Sequence, residues 1–230
     1  MEKVDLMRQF TRSYLLDIDN ARVPKEMNIA FDGGAFNGYF GLGVAIFLKE
    51  LEHAELTTVK KVSGVSAGSI LALWYLIKQP KTDLNEQFVL LSKHFNTHNN
   101  LRIFRSMAHH TVMSNIDSDD LTFLNDRLYI SYYDIKKHKR RTICRFKDRK
   151  HLINTIIKSC HIPFVVSDRI AYYNRYIDGM RPYIFDECDK TMFVKVSTFS
   201  KLSRMFSTCG ESNIIHRLVV GIADANDFFT

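Results

Sequence analysis

The chain has little of what would staple, anchor or loosen a protein. Its 230 residues include four cysteines, four prolines, ten glycines and one tryptophan. No two cysteines form a CxxC pair, and Cys160-His161 is the only adjacent Cys/His pair. That spacing offers neither a disulfide framework nor a metal-ligand set. Cys144, Cys160, Cys188 and Cys209 are therefore read as free thiols in a reducing compartment. His109 and His110 are adjacent and face different directions on any regular element, so no metal and no cofactor is expected. The amino terminus, MEKVDLMRQFTRSYLLD, scatters charge through its apolar positions and lacks the hydrophobic centre of a cleavable signal. The longest apolar runs, Tyr39–Leu48 and Ile70–Ile77, are about half of the ~20 residues that a helix needs to cross a bilayer. A cytoplasmic protein is expected, peripheral at membranes if it meets them. With no repeat and no linker-like segment, the chain reads as a lead-in over 1–25 and one domain over 26–230.

Charge is the first positive feature. The formal net charge is +7, which attracts anions of any kind, nucleic acid and anionic lipid headgroups included. The densest run is Lys136-Lys137-His138-Lys139-Arg140-Arg141, followed by Arg145, Lys147, Arg149 and Lys150. A solvated hairpin or loop accounts for it, and so does contact with phosphate headgroups. No aromatic interleaving or recognition-helix pattern accompanies it, so specific nucleic-acid binding is not expected.

Along the chain, a short apolar run, Met27–Phe31, ends at Asp32-Gly33-Gly34. Helical apolar spacing follows over Gly38–Glu52, then a β-branched run, Thr57–Val62, a second glycine turn, Ser63–Gly68, and an apolar helix, Ser69–Ile77. Strand, glycine turn, helix, repeated twice, predicts an α/β fold with a mostly parallel sheet flanked by helices. Asp83–Leu128 is polar and helix-leaning, a lid or merely helical cladding, with a polar break at Asn96–Asn100 and an acidic turn, Asp117–Asp120, fit to cap a helix. Strands are expected at Thr142–Phe146, Arg175–Ile177 and Phe193–Thr198, and helices at Leu152–Ser159 and Ile214–Asp227.

Three places carry chemistry. Gly64-Val65-Ser66-Ala67-Gly68 is a G-x-S-x-G between strand and helix. Its glycines allow a sharp turn that exposes the serine hydroxyl, and the following helix N-terminus favours a developing anion. A serine that merely caps the helix would fit the same letters. Asp32-Gly33-Gly34-Ala35-Phe36-Asn37-Gly38 follows the first strand. Small residues there can aim backbone N–H groups at one point, as an oxyanion hole requires, or can simply connect strand to helix. It is no P-loop, since Tyr39-Phe40 follow Gly38 where Lys and Ser or Thr would stand. Nor is it a dinucleotide fingerprint: Ala35 stands where glycine is wanted, and the second strand ends in the serine turn. For the base, two candidates remain. His216 would complete a Ser–Asp–His order, but Ser66 follows only two strands, too early for an α/β-hydrolase. Asp178, in Tyr176-Ile177-Asp178-Gly179-Met180, ends a short strand and can meet the serine directly, unless it is only an Asp-Gly turn.

Taken together, DGGAFNG, GVSAG and DGM, in that order, resemble the patatin-like phospholipases. Ser159-Cys160-His161-Ile162-Pro163-Phe164 is similar to that family's approach to its aspartate, and Phe31–Ala45 to its animal-type branch. The resemblance spans roughly Met27 to Ile184. It implies a three-layer α/β/α sandwich and a lipid acyl hydrolase acting through a Ser66–Asp178 dyad and an acyl-enzyme. Gly33, Gly34 and Ala35 would form the oxyanion hole, with Gly38, Gly64, Gly68 and Gly179 as motif glycines. The implied partners are a lipid substrate and the surface of a membrane or lipid droplet, with the oligomeric state open. Three departures bear on activity: Ala35 for a third glycine, Asn37 for an arginine, and Met180 for a small residue, where a larger side chain would narrow the site. A catalytically weakened lipid-binding or regulatory protein is the alternative they raise.

Overall fold

The computed structural model describes residues 2–16, 18–186, 190–196 and 211–230. A leading helix α1 (Glu2–Leu15) precedes strand β1 (Glu26–Phe31), a short 3-10 turn (Ala35–Asn37) and helix α2 (Gly38–His53). Strand β2 (Thr58–Val65) runs into α3 (Ala67–Leu76), and three helices follow: α4 (Leu84–His98), α5 (Phe104–Asn115) and α6 (Ser118–Leu124). Strands β3 (Leu128–Asp134) and β4 (Lys139–Ile143), helix α7 (Arg149–Ser159), strands β5 (Tyr176–Asp178) and β6 (Thr191–Val194), and α8 (Glu211–Phe229) complete the described fold.

The sheet order is β4-β3-β2-β1-β6, with β5 added to β3. β1 pairs in parallel with β2 and β6, and β2 with β3, while β4 and β5 run antiparallel to β3. Met27–Phe31 are all buried, so β1 is covered on both faces, as the middle of an α/β/α sandwich must be. The expected fold class is the one observed. α2 lies along α8, and α1 reaches both. The exposed Arg12 ties α1 to the buried Glu50 of α2, its Nε 2.8 Å from Oε2.

Helix ends follow their local chemistry. Asp83 and Asp148 accept the N–H groups of Asn85 and His151 to start α4 and α7. Asp117 and Asp120 form a reciprocal capping box at α6, as the acidic turn predicts. Asn99, left-handed at φ 53°, ends α4 inside the expected polar break.

Two elements differ from expectation. β3 (LYISYYD) has no counterpart in the sequence reading, because a strand buried at nearly every position shows no alternation of polar and apolar residues. β4 starts earlier than the expected Thr142, inside the basic run, because pairing with β3 from Asp134↔Lys139 to Ile130↔Ile143 sets its bounds. The run is thus a hairpin arm with its turn at 135–138. Part of its charge is used internally: Arg141 pairs with Asp134, Arg145 with Asp126, and Arg140 donates to the Pro182 carbonyl. The expected strand Phe193–Thr198 is observed at Thr191–Val194, and Thr198 lies outside the described residues.

The two glycines of GVSAG are required by close approach. A Cβ on Gly64 would stand 2.2 Å from the Gly68 carbonyl oxygen, and one on Gly68 would stand 2.4 Å from that of Phe31. Neither neighbour is a side chain that could turn aside. Gly68→Ala is expected to cost about 3 kcal/mol, at the upper end of overpacking effects, read as a lowered urea midpoint with unchanged slope.

Candidate active site

Strand pairing brings the site together. β1 and β2 run side by side with Phe31 opposite Gly64, so the glycine loop and the serine turn leave the sheet at one edge. On β3, Val65 pairs with Ser131 and Asp178 pairs with Tyr132, the next residue. β4 already occupies the other side of β3, so β5 takes up the line where β2 stops. Ser66 and Asp178, more than a hundred residues apart in sequence, therefore meet at one point on β3.

Ser66 is buried, with φ 53° and ψ −131° at the N-cap of α3, and its side chain makes no capping hydrogen bond. A non-glycine residue in that region costs roughly 1–3 kcal/mol and persists only where its surroundings hold it. Three side chains do so. The Ser66 N–H donates to Ser159 Oγ at 2.9 Å, and the Ser159 hydroxyl donates to the Ser131 carbonyl at 2.7 Å. The Ser66 carbonyl accepts from the Ser69 hydroxyl at 2.6 Å and from the Cys160 thiol at 3.1 Å. The helix-cap reading of Ser66 thus lacks its hydrogen bond, and the backbone has the strained geometry of a nucleophile turn.

On this geometry Ser159 holds the Ser66 backbone against β3. Ser159→Ala leaves the buried Ser66 N–H and Ser131 carbonyl each without that partner. A fall in kcat of about 10- to 100-fold with KM nearly unchanged is expected, since small displacements at a reacting centre are that costly. Equal kcat in steady-state assays of a well-folded variant would refute the role.

Asp178 ends β5. Its N–H donates to the His161 carbonyl at 3.0 Å, and its Oδ1 accepts the Met180 N–H at 2.9 Å. Burial raises its pKa above the ordinary carboxylate value; the facing Ser66 hydroxyl and the Met180 N–H draw it back down, and the nearby Asp32 charge adds to the rise. β5 is itself fastened by a fork. Arg175 Nε and Nη2 lie 3.0 and 2.9 Å from Asp134 Oδ1 and Oδ2, and these guanidinium bonds hold the Asp134 carboxyl down at about 2. Gly179 lies against β3, where a Cβ would come within 2.6 Å of the Ser131 carbonyl oxygen.

In the glycine loop the three expected donors have different surroundings. The Gly33 N–H is taken by the Asp32 carboxylate at 2.9 Å, because an Asp side chain can fold onto the next residue's N–H. The N–H groups of Gly34 and Ala35 have no protein acceptor among the described residues. Ala35 adopts φ 45°, a conformation glycine would take more easily, which accounts for the small residue there. Gly38 begins α2 beneath the Phe88 ring.

The two other departures are accommodated. Met180 does not narrow the site: its side chain is 76% exposed and only its N–H serves Asp178. At Asn37, which is buried, no arginine stands, yet Arg217 of α8 reaches the same loop and donates to the Phe36 carbonyl at 3.1 Å. His216, the alternative base, is exposed on α8 and has no hydrogen bond or ion pair to the serine turn. His161 is buried beside the site, but its ring nitrogen faces the Arg169 carbonyl at 3.3 Å rather than Ser66.

Ser66 and Ala35 open on a pocket walled by Phe36, Ile70, Phe88, Leu91, Phe104 and Val166, with a cavity volume of about 40 Å³. A second void, of about 20 Å³, shares Ile70, Phe88, Leu91 and Phe104 with it and runs on to Leu73 and Val112. The helices of 84–115 are thus the apolar wall beside the serine. Cys144 and Cys160 are free thiols; Cys188 and Cys209 lie outside the described residues. Among the described residues, no cluster of His, Cys, Asp or Glu is placed to hold a metal, and no helix is long and apolar enough to cross a membrane.

A family model described as patatin-like phospholipase matches residues 29–181. A human protein named patatin-like phospholipase domain-containing protein 4 is 23% identical over 163 residues. That match covers 67% of this chain and 64% of the human protein's length.

Proposed function

Because the chain belongs to the patatin-like phospholipase family, we propose that it hydrolyses carboxylic esters of phospholipids or acylglycerols with Ser66 as nucleophile and Asp178 as general base. The observation that carries this reading is the facing pair itself: a strained serine and a half-buried carboxyl set against each other by adjacent rungs of β3.

Asp178, in its charged form, takes the Ser66 proton as Oγ attacks the ester carbonyl. The carbonyl oxygen becomes an oxyanion held by the N–H groups of Gly34 and Ala35, and the start of α3 adds a favourable dipole. Collapse expels the alcohol, which receives the proton from Asp178, and leaves the acyl group on Ser66. Water, deprotonated by the same carboxylate, then attacks the acyl carbon; the bond to Oγ breaks, the fatty acid leaves, and Asp178 returns the proton to Ser66.

The apolar pocket supports a lipid acyl group over a polar one. At about 40 Å³ it is well below the roughly 300–1,000 Å³ of clefts that take small ligands. Phe88 and Phe104, which wall both voids, must turn aside for a chain to enter. Large apolar side chains near this edge, Phe164, Ile170, Tyr173 and Met180, stand exposed and would meet the surface of a membrane or lipid droplet.

The test is a panel of phospholipid, lysophospholipid and acylglycerol substrates together with a fluorophosphonate probe. Wild type should label and turn over at least one lipid. A well-folded wild type that neither labels nor hydrolyses would instead favour a lipid-binding protein without turnover.

A further inference from the structure

α5 and α7 lie side by side and leave a groove of about 650 Å³ outside the serine pocket. That volume is in the range of small-ligand clefts, roughly 300–1,000 Å³. Arg102, Arg105 and His109 line one wall and Lys150 and Asn154 the other, over a floor that includes Ile153 and Ile157. Arg105 and Ile157 continue into a recess of about 280 Å³ walled by Arg169, Tyr172 and Tyr173. No aspartate or glutamate lines either part. Arg102 is bound to Asp168 at the rim, whereas Arg105, Lys150 and Arg169 have no acidic side-chain partner among the described residues.

Three unneutralised cations around an acid-free cleft call for an anion. The surroundings say which kind. Phe164, Ile170 and Tyr173, 65%, 64% and 63% exposed, sit on the segment that walls the recess. A free phosphate would not cover them, and a lipid interface offers both phosphate oxygens and an apolar boundary. Val166 lines both the recess and the pocket at Ser66, so a headgroup seated here lies one side chain away from that pocket.

We propose that the α5–α7 groove binds the phosphate headgroup of an anionic phospholipid in a membrane surface, docking the chain with its serine pocket toward the bilayer. The headgroup site stands on the cations and exposed side chains alone; only the purpose of docking rests on the hydrolase reading.

The experiment is co-sedimentation with phosphatidylcholine vesicles, with and without about a third phosphatidylglycerol, using the Ser66→Ala protein so that nothing is consumed. Tighter binding to the anionic vesicles, weakened by salt, is expected. Arg105→Gln/Lys150→Gln should weaken it by about 30-fold, from about fivefold per cation at such a surface, and leave binding to pure phosphatidylcholine unchanged. Hydrolysis of a soluble short-chain ester by the same double variant on the wild-type background should be unaffected. The exposed hairpin turn supplies the control, and Lys136→Gln/Lys137→Gln should lose much less.

Anionic-vesicle binding by the groove variant within twofold of the parent would overturn the proposal. So would an equal loss in the hairpin variant, which would mean diffuse charge. Displacement by millimolar glycerol phosphate without any vesicle preference would assign the groove to a soluble phosphate. Groove-dependent binding of a single-stranded oligonucleotide without vesicle preference would assign it to nucleic acid. Either result also overturns the lipid assignment, and neither would touch the hydrolase reading.

Discussion

Ser66→Ala is expected to lower kcat on any lipid ester by at least about 10⁴-fold, with no labelling by a fluorophosphonate. The size follows from the way the site divides its work. Without Oγ there is no acyl-enzyme, and only the donors of the glycine loop and substrate positioning remain to act on bound water. The fold should survive the change, because the Ser66 side chain caps no helix and the contacts that hold its backbone come from Ser159, Ser69 and Cys160; only the hydroxyl's bond to Asp178 is lost. Stability and activity therefore part company in this variant. A small loss of turnover with an unchanged melting temperature would mean that another group attacks the ester, and the dyad would be wrong.

That separation also shows what was legible in the sequence. Ser66 announces itself through the two glycines around it, whose close approaches leave no room for a side chain, and through the apolar helix that follows. The order of β1, α2, β2 and α3 is readable for the same reason: their glycine turns and apolar spacing are local. β3 is not. Its buried positions show no alternation, yet it is the element on which the serine turn and the aspartate are aligned. From sequence alone, Asp178 is therefore paired with Ser66 by its place at a strand end, by the early position of Ser66 and by likeness to a family, not by register.

The supporting residues were hidden for a related reason. Ser159, Ser131 and the Asp134–Arg175 fork act through register between strands distant in the chain. Arg217 reaches the glycine loop from a helix 181 residues away in sequence. Met180 is the opposite case. A bulky side chain after Asp-Gly suggested an obstructed site, because sequence does not tell which way a residue at φ 62° will point, and it points to solvent. The basic run is a hairpin, one of the two readings its sequence allows, but its partners are not legible: three of its arginines are engaged within the fold, and Lys150 lines a groove with arginines some 45 residues earlier.

Asp178→Asn should abolish base catalysis and stabilise the protein at once. A carboxamide cannot take the Ser66 proton, and a positioned general base contributes about 10²- to 10⁴-fold, so turnover should fall by that order. The stability effect has its own sign. Burial raises the native pKa of Asp178 above its unfolded value, so the folded state binds its proton more tightly than the unfolded chain. Its contribution is fully present below the unfolded pKa and is lost as pH rises through the folded one. At neutral pH the wild type therefore carries a half-buried, partly desolvated charge that asparagine does not. The melting temperature of Asp178→Asn should exceed that of wild type at pH 7, and the gain should shrink in acid as the native carboxyl becomes protonated. The same raised pKa places the acid limb of the wild-type kcat/KM profile above the ordinary aspartate range, because only the charged form acts as base. A variant that is inactive but gains nothing in stability at neutral pH would leave Asp178 in the mechanism while removing burial as the source of its basicity.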